Sequence, residues 1–243
     1  MPYRRLPKTD LSRIKALQKA VSMEGYKENG QLVLSYQTIR DAQQLLSKFR
    51  SSQRQYQQYY DLYISTGKDY KEEARVARLY VSHFIQVLNM AIQRGELRSD
   101  IKTGYGLDPD SYTLPSLTSE ADLAEWGKKI IAGEEQRVQQ GGVPIYNPNI
   151  AKVKVHYSIF ADHYFSSSTY KANAEKHRIE LVHLRPMVDD LLLDLWNQVE
   201  AFYAEYPFSE RIEHGTQFGL IYYLRDTEKK QIEAEKLQSR LDF

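Results

Sequence analysis

Apolar residues in this chain recur mostly three and four positions apart, the period that places them on one face of an α-helix. Leu11, Ile14, Leu17 and Val21 make the first such stripe. Thr9 and Asp10 stand just ahead of it, and either can accept hydrogen bonds from the free amides of a first helical turn. Gly25, Asn29 and Gly30 then interrupt the pattern. A second stripe opens near Ser35 and runs through Ile39, Ala42, Leu45, Leu46, Phe49, Tyr56, Tyr59, Tyr60 and Tyr63. It predicts a helix of about eight turns, ended by Gly67. A third stripe, from about Asp69, takes in Ala74, Ala77, Tyr80, Val81, Phe84, Val87, Leu88, Ala91 and Ile92 and closes at Gly95. So short a connection between two long amphipathic helices implies an antiparallel hairpin.

Residues 96–117 lose the period and carry Gly104, Gly106, Pro109 and Pro115. An irregular stretch of this length is a packed loop, a functional segment or a linker. A fourth, shorter helix is expected from Ser119 to Gln140, with Leu123, Trp126, Ile130 and Ile131 on its apolar face. Asn147 followed by Pro148 reads as the cap and first turn of a fifth helix, since proline costs nothing where its missing N–H would be free anyway. That helix carries Ile150, Val153, Tyr157, Phe160 and Tyr164 and is expected to run to about His177. The sixth is the most apolar, with Leu181, Leu184, Val188, Leu191, Leu192, Leu195, Trp196, Val199 and Phe202. Pro186 falls inside it, either in its first turn or at a kink. Pro207 ends it, Gln217–Leu224 is strand-like, and the tail from Asp226 is a solvated helix or disordered.

Two segments echo each other. Leu97–Leu107 and Phe208–Leu220 both place a serine before an acid, then an isoleucine, a glycine and an aromatic-Gly-Leu ending. Each follows a long helix with serines midway (Ser51, Ser52; Ser166–Ser168) and a second apolar helix. The fold expected is therefore all-α: an antiparallel helical bundle from two duplicated helical hairpins, with additional N-terminal and middle helices. In a single domain spanning 1–243, the first hairpin unit would occupy 1–107, an irregular segment with a short helix 108–147, the second hairpin unit 148–225 and the charged tail 226–243. The glycines at the hairpin ends are not phosphate loops, because they lack the lysine, the preceding strand and the following helix.

Composition narrows the function classes. There is no cysteine among the 243 residues, which excludes disulfide scaffolds, zinc ribbons, iron–sulfur clusters and cysteine nucleophiles. The 33 basic and 32 acidic residues are interleaved, so no strong positive field for nucleic acid is expected. No run of apolar residues is long enough for a membrane span. No apolar stretch follows the basic start, which predicts no secretory leader and a cytoplasmic protein. The 19 tyrosines against 8 phenylalanines suit half-buried helix faces and interfaces.

Candidate chemistry is sparse. There is no Gly-x-Ser-x-Gly elbow, and the pairs Asp189/Asp190 and Glu72/Glu73 point about 100° apart on a helix. His156 and His163, seven apart, share a helix face, and Glu180-x-x-His183 is the unit used by di-iron bundles. A second such pair is missing, since Tyr80–His83 lacks the glutamate, so His156, His163, Glu180 and His183 would serve at most a mononuclear divalent metal. The bland alternative is packing and single hydrogen bonds. Tyr56–Tyr63 with Arg40, Lys48, Arg50 and Arg54 could suggest base stacking, but the aromatics continue the apolar stripe. The basic arm Tyr3-Arg4-Arg5 is too short to define a binding element alone.

The segments Tyr3–Asp10, Ala77–Gly95 and Glu125–Ile131 resemble a bacterial family of helical proteins found in gut Bacteroidetes, for which no activity is known. The resemblance implies a bacterial origin and nothing about activity. The expectation for function is a non-enzymatic helical bundle without a cofactor, acting by protein–protein interaction or self-association, since abundant Tyr and Arg favour interfaces. The alternative is a metal-binding bundle or metal-dependent enzyme using the histidines of the second hairpin.

Overall fold

The computed structural model describes residues 2–67 and 70–241, and they are essentially all-α. The helices are α1 (Asp10–Ser22), α2 (Tyr36–Thr66), α3 (Tyr70–Gln93), α4 (Glu120–Gln139), α5 (Ile150–Phe202), α6 (Phe208–Gln217) and α7 (Asp226–Leu241), with a 3-10 helix at Ser99–Tyr105. The described strands are two residues each. β1 (Tyr3–Arg4) pairs antiparallel with β4 (Tyr222–Tyr223), and β2 (Lys27–Glu28) with β3 (Gln31–Leu32). The expected start of the third helix at Asp69 lies outside the described residues.

Short polar side chains start the helices. Thr9 Oγ1 accepts from the Ser12 amide at 3.2 Å while Ser12 Oγ accepts from the Thr9 amide at 3.1 Å, a reciprocal cap. Ser35 caps α2 through the Thr38 amide at 3.1 Å, and Ser119 caps α4 through that of Asp122 at 3.0 Å. For α5 the cap is Asn149, which accepts from Lys152 N at 2.9 Å, and not Asn147, whose bond to Pro148 is cis.

The second hairpin does not form. The expected fifth and sixth helices are one helix of 53 residues, α5, which continues through Pro186. The physical reason is the absence of a helix stop. No glycine lies between Ile150 and Phe202, and the expected break falls in Ala172-Asn173-Ala174-Glu175-Lys176-His177-Arg178, mostly strong helix formers. Glu175 and Arg178 reinforce it with two hydrogen bonds of 2.7 Å, one turn apart. Pro186 costs the bond to the Val182 carbonyl, which the flanking packed turns offset.

The chain divides into two compact units rather than matched hairpins. Unit 1 is built from both ends, Met1–Gln58 with Ala174–Phe243, and unit 2 from Tyr59–Asn173. In unit 1, Leu17 and Ala20 of α1, Ile39, Ala42 and Phe49 of α2, and Leu181, Val188, Leu192, Leu195, Trp196 and Val199 of α5 make one buried cluster, closed by Tyr203, Phe218 and Leu220. Each fully buried side chain of this size contributes roughly 1.5–3 kcal/mol. Two paired guanidiniums tie α1 to α5: Arg13 bonds both oxygens of Asp189, and Arg185 both oxygens of Asp10, all at 2.8 Å. In unit 2, Ala77, Val81, Phe84 and Leu88 of α3 pack with Leu123 and Ile130 of α4, Val153 and Phe160 of α5, and Tyr105. The first hairpin therefore does not bury one continuous stripe, for α2 residues 39–49 and α3 belong to different cores.

The echoed segments share a local device. Gly106 and Gly219 have φ of 70° and 92°, and the following Leu107 and Leu220 donate back to Lys102 O and Gly215 O at 3.0 and 2.9 Å. Gly95 and Gly141 end their helices with the same pattern, Glu96 N to Ala91 O and Gly142 N to Arg137 O, both 3.0 Å. A helix stop used four times does not single out two copies of a unit.

Candidate anion-binding cleft

Unit 1 contains a cleft of about 530 Å³ whose walls are built from distant parts of the sequence. The first strand supplies Tyr3 and Arg4, the residues after it Arg5 and Leu6, α5 supplies Leu193 and Trp196, and the turn before α7 supplies Arg225. The strand is held in place by its ladder to β4, by the Arg5 amide on the Ile221 carbonyl at 2.9 Å, and by the Arg4 guanidinium. Arg4 Nη1 donates to Asn197 Oδ1 at 2.8 Å and lies 3.2 Å from Glu200. Burial, and after it the neighbouring Glu200 carboxylate, push the Tyr222 phenol up, so its hydroxyl stays protonated.

Arg4 is thus neutralised by its anchors, but Arg5 and Arg225 are not. Both are exposed, and neither makes an ion pair among the described residues. Trp196 forms part of the wall. Its ring is fully buried, yet its indole N–H has no hydrogen-bond partner among the described residues. Buried donors are nearly always paired, and this unpartnered one belongs to a residue that lines the cleft. No acidic side chain is among the described residues lining the cleft. Two free guanidiniums, an indole donor and the apolar sides of Leu6 and Leu193 suit a carboxylate attached to an apolar body.

The histidines predicted as metal ligands are not brought together. His156 and His163 lie in unit 2, Glu180 and His183 in unit 1. His156 stacks on Tyr80 with ring centroids 4.2 Å apart, and His163 Nδ1 contacts the Glu73 carboxylate. Glu180 is bound by Ser52 and by His177 Nδ1 at 3.3 Å, and His183 is exposed. No group of three or more His, Asp or Glu able to hold a metal occurs among the described residues. No helix among them is long and apolar enough to cross a membrane.

The irregular stretch 96–117 is tied down as a strut. Arg78 Nε donates to the Leu117 carbonyl at 2.7 Å, Asn89 Nδ2 to that of Tyr112 at 3.2 Å, and the fully buried Lys102 ammonium to that of Ser111 at 2.9 Å. Tyr3-Arg4-Arg5 is visible in the sequence but the cleft is not, because Trp196 reads as core and Arg225 as the end of the second hairpin unit, and the β1–β4 pairing and the Arg4 anchors on α5 bring them together. The chain matches no protein family, and no curated protein or solved structure is significantly similar to it.

Proposed function

We propose that this is a non-enzymatic binding protein acting through protein–protein contact, and that the arginine-lined cleft takes up an acidic segment of the partner. The observation that carries the reading is a cleft lined by buried Trp196, whose indole N–H is unpartnered among the described residues, and by Arg5 and Arg225, which make no ion pair among them. Tyr3 and Tyr223, paired across the β1–β4 ladder, are 68 and 64% exposed. Tyr, Trp and Arg are the side chains that concentrate binding energy at interfaces. The partner is another protein or a second copy of this chain, which sedimentation distinguishes. A bacterial origin is supported by the family resemblance of Tyr3–Asp10, Ala77–Gly95 and Glu125–Ile131.

A labelled glutamate-rich peptide, followed by fluorescence anisotropy, tests the reading. The native protein should bind it, a lysine-rich peptide should not bind, and the double variant Arg5→Glu, Arg225→Glu should bind it at least about tenfold more weakly. Equal affinity of the native and double-variant proteins would overturn it.

A further inference from the structure

We propose that a second pocket, in unit 2, binds a neutral polyhydroxylated ligand of the size of one pyranose sugar ring. The pocket encloses about 250 Å³ where the segment after the 3-10 helix folds over α3 and α4, and Asn89, Asp108, Ser111, Thr113, Pro115 and Trp126 line it. Asn89 is the decisive residue. It is 7% exposed, its Nδ2 donates to the Tyr112 carbonyl at 3.2 Å, and its Oδ1 is buried with no partner among the described residues. Turning the amide over would set oxygen against the carbonyl, so the unfilled position is an acceptor. The ligand must therefore bring an N–H or O–H.

The surroundings fix its charge. A cation is opposed by Lys129, whose ammonium sits 4.7 Å from the Trp126 ring centroid, and by Lys102, 3.8 Å over the Tyr112 ring. An anion is opposed by the Asp108 carboxylate and the Asn89 oxygen themselves. A neutral donor remains. Further partners suit several hydroxyls rather than one. Ser111 Oγ and Thr113 Oγ1 share a 2.7 Å hydrogen bond, which leaves one proton of the pair to point outward. Asp108 Oδ1 accepts from the Asp110 amide at 3.0 Å, and Oδ2 has no hydrogen bond among the described residues. Trp126 adds a flat apolar wall, against which the C–H face of a sugar ring packs. The volume lies below the roughly 300–1,000 Å³ typical of drug-sized ligands, which limits the occupant to a single ring.

The test uses the full chain labelled with nitrogen-15, in which the two tryptophan indole signals are assigned by the loss of one in Trp126→Phe. Glucose, galactose, mannose and N-acetylglucosamine are titrated separately, with choline and acetate as charged probes. At least one sugar should shift the Trp126 signal saturably, and Asn89→Leu should weaken that binding at least about tenfold. Because Asn89 also anchors Tyr112, Thr113→Val, which leaves the anchor intact, should weaken it several-fold. No saturable shift with any sugar up to tens of millimolar, which would mean that water fills the pocket, overturns the proposal. So does tighter binding of choline or acetate, or binding unchanged in both variants.

Discussion

Glu134 shows how far a residue's role can depart from its sequence surroundings. With Arg137 it looks like an exposed pair one turn apart, worth a few tenths of a kcal/mol. In the fold it is fully buried, and its oxygens accept from Tyr105 Oη at 2.5 Å, from Arg137 at 2.9 and 2.8 Å and from the Ile145 amide at 3.0 Å. Burial first, then Glu134, pushes the Tyr105 phenol up, so it stays a donor. Glu134→Ala should cost about 3–5 kcal/mol in urea unfolding, because it strands the Arg137 charge. Gly133→Ala should also destabilise, by about 1–3 kcal/mol, although alanine is the better helix former, since a Cβ there would lie 2.6 Å from the Tyr105 ring and 2.8 Å from the Gly104 carbonyl. Neither role was legible in the sequence, because Tyr105 and Ile145 reach the site from outside the helix. At Glu180, Ser52 first and then His177 hold the carboxyl below its ordinary range. Its stabilisation is therefore present above the ordinary carboxyl pKa and lost as pH falls through the lower folded value. A carboxyl titration by NMR should show the Glu180 midpoint rise in Ser52→Ala, and an unmoved midpoint would contradict the assignment.

Among the elements, α5 separates what periodicity can tell from what it cannot. Of the apolar positions it marked, Val153, Phe160, Leu181, Leu184, Val188 and Leu192 are buried, while Ile150, Tyr157, Tyr164, Leu191 and Phe202 are half-buried. The break it was given near His177 is absent, because three serines and a change of stripe do not stop a helix as glycine does. Residues 162–173 of α5 and 53–66 of α2 contain no fully buried side chain, and Tyr56, Tyr59, Tyr63, Tyr164 and Tyr170 are half-buried there. The excess of tyrosine over phenylalanine reflects these partly wet faces. Pro186→Ala should restore the donor for the Val182 carbonyl and stabilise unit 1 by about 2 kcal/mol in urea unfolding. A destabilised variant would mean that the proline shapes the packing of α5 rather than being tolerated by it.

For the whole molecule, the helical class was legible and the division was not. Unit 1 joins residues from the two ends of the chain, so no contiguous stretch of sequence carries its core. Two cores, each with one tryptophan, make a prediction of their own. Glu134→Ala should move the urea midpoint reported by the Trp126 indole and move that of Trp196 less; equal displacement would show that the cores unfold as one. The cleft has the same discontinuous origin, with Arg5 and Arg225 brought to Trp196 by the pairing of the first and last strands. The measurement that bears most directly on the functional account is the indole N–H resonance of Trp196 during titration with a glutamate-rich peptide. The account predicts a saturable downfield shift that weakens steeply with added salt, as the orphan donor finds a carboxylate between two guanidiniums. A resonance that stays in place, or moves equally with a lysine-rich peptide, would contradict it.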